Sequence, residues 1–237
     1  MSFLERSLLL IKDDGIQNLA KSHVLIVGVG GVGSYAAEAI CRAGVGKITL
    51  IDGDVVQKSN INRQLPALHS TIDEAKVEIM RKRLLDINPN AEIQVLQQFI
   101  MPEAVEQVIP KDVDFVLDCI DSITPKITLI IHCKKNKIPF ISSMGAGGKM
   151  DPSRIKIAEI NDTKDCYFSR DIRKRLRKEK FSYGVKVVYS DEPVSKSTMA
   201  LSPDTMYKKS FYGTISYMPA MFGMTMASFV IRKIINA

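Results

Sequence analysis

The sequence predicts an α/β fold: a doubly wound, mainly parallel sheet with a C-terminal α/β extension. Three observations carry that prediction. Between residues 23 and 143, short apolar runs alternate with amphipathic segments. The apolar runs are near-continuous, as strands covered on both faces require. A glycine cluster, Gly28, Gly30, Gly31 and Gly33, joins the first run to the first amphipathic segment, the arrangement of a Rossmann-like sheet with right-handed crossovers.

Taken in order, HVLIVGV (23–29) reads as a buried strand. SYAAEAICRAG (34–44) is a helix ending on Gly44 as C-cap. KITLID (47–52) is the next strand. TIDEAKVEIMRKRLLDIN (71–88) is a long amphipathic helix stopped by Pro89. EIQVLQQ (92–98) and FVLDCID (115–121) are strands, ITLIIHCKKNK (127–137) a helix and IPFISSM (138–144) a strand. Beyond Gly148 the pattern changes. RIKIAEI (154–160) and YGVKVVYS (183–190) read as strands flanking a basic helix, SRDIRKRLRKEKF (169–181). Polar residues and two prolines over 191–209 predict a mobile loop. A strand ending near Tyr217 and a last helix return to pack on the main sheet. The nucleotide-binding core spans about 22–148 and the extension 149–237, one domain in all.

Composition narrows the function. The 237 residues are 46% hydrophobic and 25% charged, which is globular composition, with 33 Lys and Arg against 26 Asp and Glu. The four cysteines, at 41, 119, 133 and 166, form no Cys-x-x-Cys pair, so a four-cysteine zinc site is excluded. The first ten residues carry acid and base and no cleavage signal, which predicts a reducing, cytoplasmic setting. Residues 211–231 hold no charge and are long enough to span a bilayer. Pro219 and two glycines interrupt them, which favours a buried helix over membrane association.

The glycine turn opens a helix whose N–H groups point at an anion, and Asp52, at the end of the next strand, suits ribose hydroxyls. That pair predicts an adenine nucleotide and fits a nicotinamide dehydrogenase as well as an ATP enzyme. Downstream residues separate the two. Asn60, Arg63 and Gln64 lie in the loop after the second strand, Lys76 opens the next helix, and Asp118 and Asp121 end another strand at the same edge. A loop arginine, a lysine and a strand-end carboxylate suit a triphosphate with Mg²⁺, the cations neutralising phosphate and the carboxylate holding the metal. A nicotinamide oxidoreductase does not account for SNINRQ with Lys76, nor a binding scaffold for the intact Arg63, Lys76 and Asp121.

The succession GVGGVGS, LIDGD, SNINRQ, AKVE, INP and DCIDS, over residues 28–122, resembles the ATP-dependent adenylating superfamily of ubiquitin-activating enzymes and of adenylyltransferases in molybdopterin and thiamin synthesis. The resemblance implies a single ThiF-type domain over 1–237. It implies that Gly28, Gly30, Gly31 and Gly33 hold the nucleotide, that Asp52 binds the ribose, that Asp54 is a further nucleotide-binding residue, and that Asn60, Arg63, Gln64 and Lys76 hold phosphates. By the same resemblance Asp121 carries Mg²⁺, and Arg6, in LERSLLL, reaches across a homodimer to the partner's triphosphate. The catalytic set implied is Asp121, Arg63, Lys76 and Arg6.

Further along, ISSMGAGGKMDPSRIKI, VVYSDEP and GTISYMPAMFG resemble the tRNA threonylcarbamoyladenosine dehydratases, which cyclise the threonylcarbamoyl group on adenosine 37 of certain tRNAs. ATP and Mg²⁺ are then the implied cofactors, without zinc. The implied partners are tRNA rather than DNA, and a second copy of the chain, with a sulfur-transfer protein also compatible. The alternative keeps adenylation but activates the C-terminal Gly-Gly of a ubiquitin-like sulfur carrier, a reaction usually accompanied by zinc ligands. Residues 170–180 hold seven Lys or Arg against two acids. Arg173, Lys174, Arg177 and Lys178 on this helix are the expected RNA contacts, and Phe181 and Tyr183 are more readily core than stacking residues. No cysteine stands out as an acceptor thiol. Cys166 is expected to be the most exposed, Cys41 and Cys133 core, and Cys119 packing beside the strand-end carboxylates. An adenylate captured by an atom of the same modified base needs no protein nucleophile.

Overall fold

The computed structural model of the chain describes residues 3–201 and 210–236. Helix α1 (Glu5–Lys21), broken at Lys12, leads into β1 (His23–Val27), α2 (Gly33–Arg42), β2 (Lys47–Ile51), α3 (Lys76–Ile87) and β3 (Glu92–Leu96). A single turn α4 (Val105–Val108), β4 (Phe115–Asp118), α5 (Ile123–Lys135) and β5 (Phe140–Ser143) complete the first part. Then come β6 (Ile155–Glu159), α6 (Tyr167–Lys178), β7 (Lys186–Ser190), β8 (Met199–Leu201), β9 (Ser210–Tyr212) and α7 (Tyr217–Ile235).

Seven strands make one sheet in the order β3-β2-β1-β4-β5-β7-β6, parallel except for the β6–β7 pair. The extension thus continues the main sheet. Chain order reverses at β1, which pairs with β2 on one side and β4 on the other. Their carboxyl ends open the crevice where such sheets bind ligands. All five residues of β1 are buried. Val24 and Ile26 face α2, α3 and α7, while Leu25 and Val27 face α5 with Leu129 and Cys133. Two-sided burial explains why the strands read as unbroken apolar runs. A third cluster, with Ile127, Ile130, Ile172 and Leu176, packs α6 onto α5.

Several expectations are corrected. Tyr217 opens α7 and ends no strand, because Pro219 fits a first helical turn. The preceding strand β9 pairs only with β8 and does not join the main sheet. Within the segment 191–209, Lys196–Thr198 form a turn followed by β8; residues 202–209 lie outside the described residues. Helix α3 starts at Lys76 rather than residue 71, since Asp73 adopts a positive φ of 68°. The sequence pattern has no counterpart of α1 or α4.

Helix α7 is, among the described residues, the one helix long and apolar enough to cross a membrane. Its Met218, Phe222, Met226, Ala227, Val230 and Ile234 pack into the core. It also presses on the glycine turn. A Cβ at Gly223 would lie 2.3 Å from the Val32 carbonyl oxygen and 3.0 Å from the Ala36 nitrogen, both backbone atoms of the turn and of α2. Gly223→Ala is therefore expected to force the helices apart at a cost of about 1–3 kcal/mol. For a chain of this size that lowers Tm by roughly 2–4 °C per kcal/mol. Calorimetry of the two proteins checks it; an unchanged Tm would show that α7 does not hold the turn.

Candidate active site

The site is built at the carboxyl ends of β1, β2 and β4. Gly28, at φ 87°, donates its N–H to the Ile51 carbonyl at 2.8 Å. Gly33 opens α2 so close to this residue that a Cβ would fall 1.8 Å from the Gly28 oxygen. No side chain fits there, so the turn must have glycine. Ser34 Oγ donates to the Gly30 carbonyl at 2.6 Å and closes the first turn of α2. The side chain of Gln64 lies over Gly30, with Nε2 3.5 Å from where a Cβ would stand, and its Oε1 is buried without a hydrogen-bond partner.

Asp52, one residue past β2, receives the N–H of Val29 at 2.6 Å on one oxygen and that of Asp54 at 2.8 Å on the other. It thereby ties the glycine turn to the second strand. Burial pushes its carboxyl above the usual range, with Lys76 and these two N–H groups opposing. Lys76 is only 4% exposed, so it is no solvated surface charge; its Nζ donates to Asp54 Oδ2 at 2.9 Å. Asn60 is buried and accepts the Gln57 N–H at 3.1 Å, while its carbonyl receives the N–H groups of Arg63 and Gln64. That turn aims Arg63, whose Nη1 donates to the Ser59 carbonyl and to Asn62 Oδ1, each at 2.9 Å. Burial pulls the Arg63 guanidinium down, and the negative charge of Asp121 opposes that shift. Asp121 is exposed, three residues past the end of β4. Phe99 is 61% exposed, yet its ring lies 2.7 Å from where a Cβ of Gly53 would stand, an apolar wall beside Asp52.

The chain thus brings together the glycine turn, Asp52, Asp54, Lys76, Asn60, Arg63, Gln64 and Asp121. The arrangement offers backbone N–H groups and two cations to an anion, and three carboxylates beside them. Arg6 makes no hydrogen bond or ion pair with it among the described residues. It is exposed on α1, flanked by Phe3, Leu9 and Leu10, which are 53%, 74% and 83% exposed.

Two buried lysines were not among the expected site residues. Lys126 Nζ meets Asp118 Oδ2 at 2.7 Å and Ser142 Oγ at 3.1 Å, and Ser142 Oγ donates to the same carboxylate at 2.6 Å. Asp118 is accordingly an ion-pair partner inside the protein. Lys149 Nζ donates to the carbonyls of Ser190, Glu192 and Asp165, and burial pulls its pKa down. A lone charge inside ITPKITLII is a signal that would have found Lys126. For Lys149 the flanking glycines mask any such signal.

Cys166 is corrected from exposed to buried: its sulfur caps α6 and accepts the Ser169 N–H at 3.5 Å. Cys41 and Cys133 are core residues, pushed up by burial to about 11 and about 12, and burial raises Cys119 too. These three thiols stay protonated and are poor nucleophiles.

The ThiF family model matches residues 4–237. A tRNA threonylcarbamoyladenosine dehydratase of Bacillus subtilis (strain 168) is 46% identical over 187 residues, 79% of this chain and 74% of the relative. The crystal structure of the Escherichia coli tRNA N6-threonylcarbamoyladenosine dehydratase TcdA in complex with ATP superposes with a TM-score of 0.88 at 34% identity, covering 98% of this chain and 93% of that one. The sulfur carrier protein ThiS adenylyltransferase of Escherichia coli (strain K12) is 37% identical over 139 residues, only 58% of this chain and 55% of the relative. The family model spans nearly the whole chain, and the relatives that match it are similar over most of their own length, so the chain belongs to the ThiF family.

Proposed function

We propose that the chain is an ATP-dependent tRNA threonylcarbamoyladenosine dehydratase, a cyclising adenylating enzyme made of one ThiF-type domain. The observation that carries the reading is the extent of the similarity: it runs through β6, α6, β7 and α7, whereas the sulfur-carrier adenylyltransferase is matched over little more than half the chain.

The threonylcarbamoyl carboxylate attacks the α-phosphorus of ATP. A carboxylate O–P bond forms, the bridging P–O bond breaks, and pyrophosphate leaves with the electron pair. An atom on the carbamoyl side of the same base then attacks the acyl carbon. The bond to AMP breaks, and the proton lost from the attacking group leaves with solvent or a base. One water is lost in sum, driven by ATP. The glycine turn holds phosphate with its N–H groups, Asp52 accepts from the ribose hydroxyls, and Arg63 and Lys76 stabilise charge developing on the phosphates. The orphaned Gln64 Oε1 beside Gly30 is a place for a bound donor to complete. Mg²⁺, when bound, neutralises phosphate charge. Among the described residues no three metal-binding side chains cluster, so Asp121 would hold it with phosphates and water, the usual way for this ion. No zinc is required.

Arg6 and the exposed leucines of α1 suit a homodimer in which Arg6 completes the partner's site, in a cytoplasmic setting. A sulfur-transfer partner is compatible with this assignment.

The test is mass spectrometry of nucleosides from threonylcarbamoyladenosine-bearing tRNA after incubation with the protein and Mg-ATP. Loss of one water mass, dependent on ATP and on Asp121, is expected. No mass loss, with pyrophosphate exchange stimulated by a sulfur-carrier protein, would replace the reading with the carrier adenylyltransferase. Phe99→Ala is expected to weaken ATP binding about tenfold, because base stacking on an aromatic contributes about 1–3 kcal/mol, and to spare tripolyphosphate binding. Equal ATP affinity in titration calorimetry would take Phe99 out of nucleotide binding.

A further inference from the structure

The basic helix divides into two sets of cations. Arg173 is spent inside the protein: its Nη1 donates to the carbonyls of Ile160 and Thr163 and to Thr163 Oγ1, at 3.0, 2.9 and 2.8 Å. Arg177 Nε and Nη2 both donate to Asn161 Oδ1, at 3.3 and 3.1 Å. These two pin α6 to the turn after β6. On the other side Lys174, Arg175 and Lys178 are exposed, and their side chains have no hydrogen-bond or ion-pair partner among the described residues. Together with Asp171 and Ile123 they line a shallow cavity of about 270 Å³. Ile123 is the first residue of α5, two residues beyond Asp121. At Ile123 the cavity therefore borders the segment that carries Asp121. Lys174 and Lys178 are one helical turn apart and share a face.

We infer that Lys174, Arg175 and Lys178 form the phosphate-binding surface that seats the RNA strand flanking the modified base, so that its carboxylate reaches the site at Asp121, while Arg173 and Arg177 hold the helix in place. This rests on the dehydratase reading. The surface binds through charge: its lining carries three cations, one acid and one aliphatic side chain, and no exposed aromatic or large apolar anchor of the kind that dominates protein–protein interfaces. A polyanion suits it, and the substrate of the proposed reaction is one.

The test compares wild type with Lys174→Gln/Arg175→Gln/Lys178→Gln for binding threonylcarbamoyladenosine-bearing tRNA over a salt series. Alongside it come ATP titration calorimetry and a second variant, Arg175→Gln/Lys178→Gln. Three lost phosphate contacts should lower the slope of log affinity against log salt by about 2, and affinity by roughly 10–100-fold near 0.1 M salt. The double variant falls in between, and ATP affinity is unchanged in both. Equal tRNA affinity and slope in wild type and variants overturns this inference and leaves the dehydratase reading standing. Failure of wild type itself to retain tRNA overturns both. Intact tRNA binding with loss of affinity for an acidic sulfur-carrier protein reassigns the surface to a protein partner and overturns the inference.

Discussion

Asp121→Ala is expected to abolish ATP-dependent turnover, by about 10³-fold or more in kcat, while leaving the fold intact. The side chain is exposed past the end of β4, so its removal leaves no cavity in the core. Its negative charge acts on the half-buried Arg63 guanidinium. Arg63 and Lys76 both remain to bind phosphate, so ATP binding should not collapse. What is lost is the carboxylate proposed to hold the metal against phosphates whose charge rises in the transition state, and such groups act on rate more than on ground-state affinity. The measurement is single-turnover release of pyrophosphate at saturating ATP and tRNA, with Tm recorded for both proteins. Turnover within a few-fold of wild type would take Asp121 out of the mechanism. A Tm fall of many degrees would instead assign it a structural part.

Lys126→Met is expected to be the most destabilising of the substitutions considered, by about 3–5 kcal/mol. The lysine and Asp118 are 0% and 1% exposed, so the remaining carboxylate would be left buried without its counter-charge. At roughly 2–4 °C per kcal/mol, Tm should fall by roughly 6–20 °C. Adding Asp118→Asn should recover most of this, since the pair is then gone from both sides while the Ile120 N–H, at 3.1 Å from Asp118 Oδ1, keeps an oxygen acceptor. A double-mutant cycle on Tm and denaturant midpoints measures the coupling. Equal losses for the single and the double variant would show that the charges do not depend on one another. The pair sits at the end of β4 and supports the chain leading to Asp121, so partial rescue of Tm without rescue of turnover would separate stability from alignment of the site.

Much of the fold was legible because strand burial leaves a local mark. HVLIV, KITLI and FVLD are continuous apolar runs since each is covered on both faces. Element ends were less legible. Helix α3 begins five residues later than its periodicity suggests, because residues 72–75 form a turn that returns Glu74 O to Val56 N and so places Lys76 against Asp54. Tyr217 read as a strand end because β-rich aromatics precede Pro219; the helix wins because α7 buries its apolar face on α2 and the sheet.

By itself the sequence determined the glycine turn and the alternation of strands and helices through the parallel part of the sheet, and it put Asp52, Asn60, Arg63, Gln64, Lys76 and Asp121 in loops and element ends, since turn chemistry and apolar periodicity are properties of neighbouring residues. Tertiary structure alone decided which charges are buried and which remain free. Lys126 pairs across eight residues with Asp118, and Lys149 reaches carbonyls up to 43 residues away. Arg173 and Arg177 are consumed by the turn after β6, while Lys174, Arg175 and Lys178, indistinguishable from them in the sequence, face solvent beside Ile123. The reason is electrostatic: a charge is worth what its surroundings make it, and those surroundings come from segments distant in the chain.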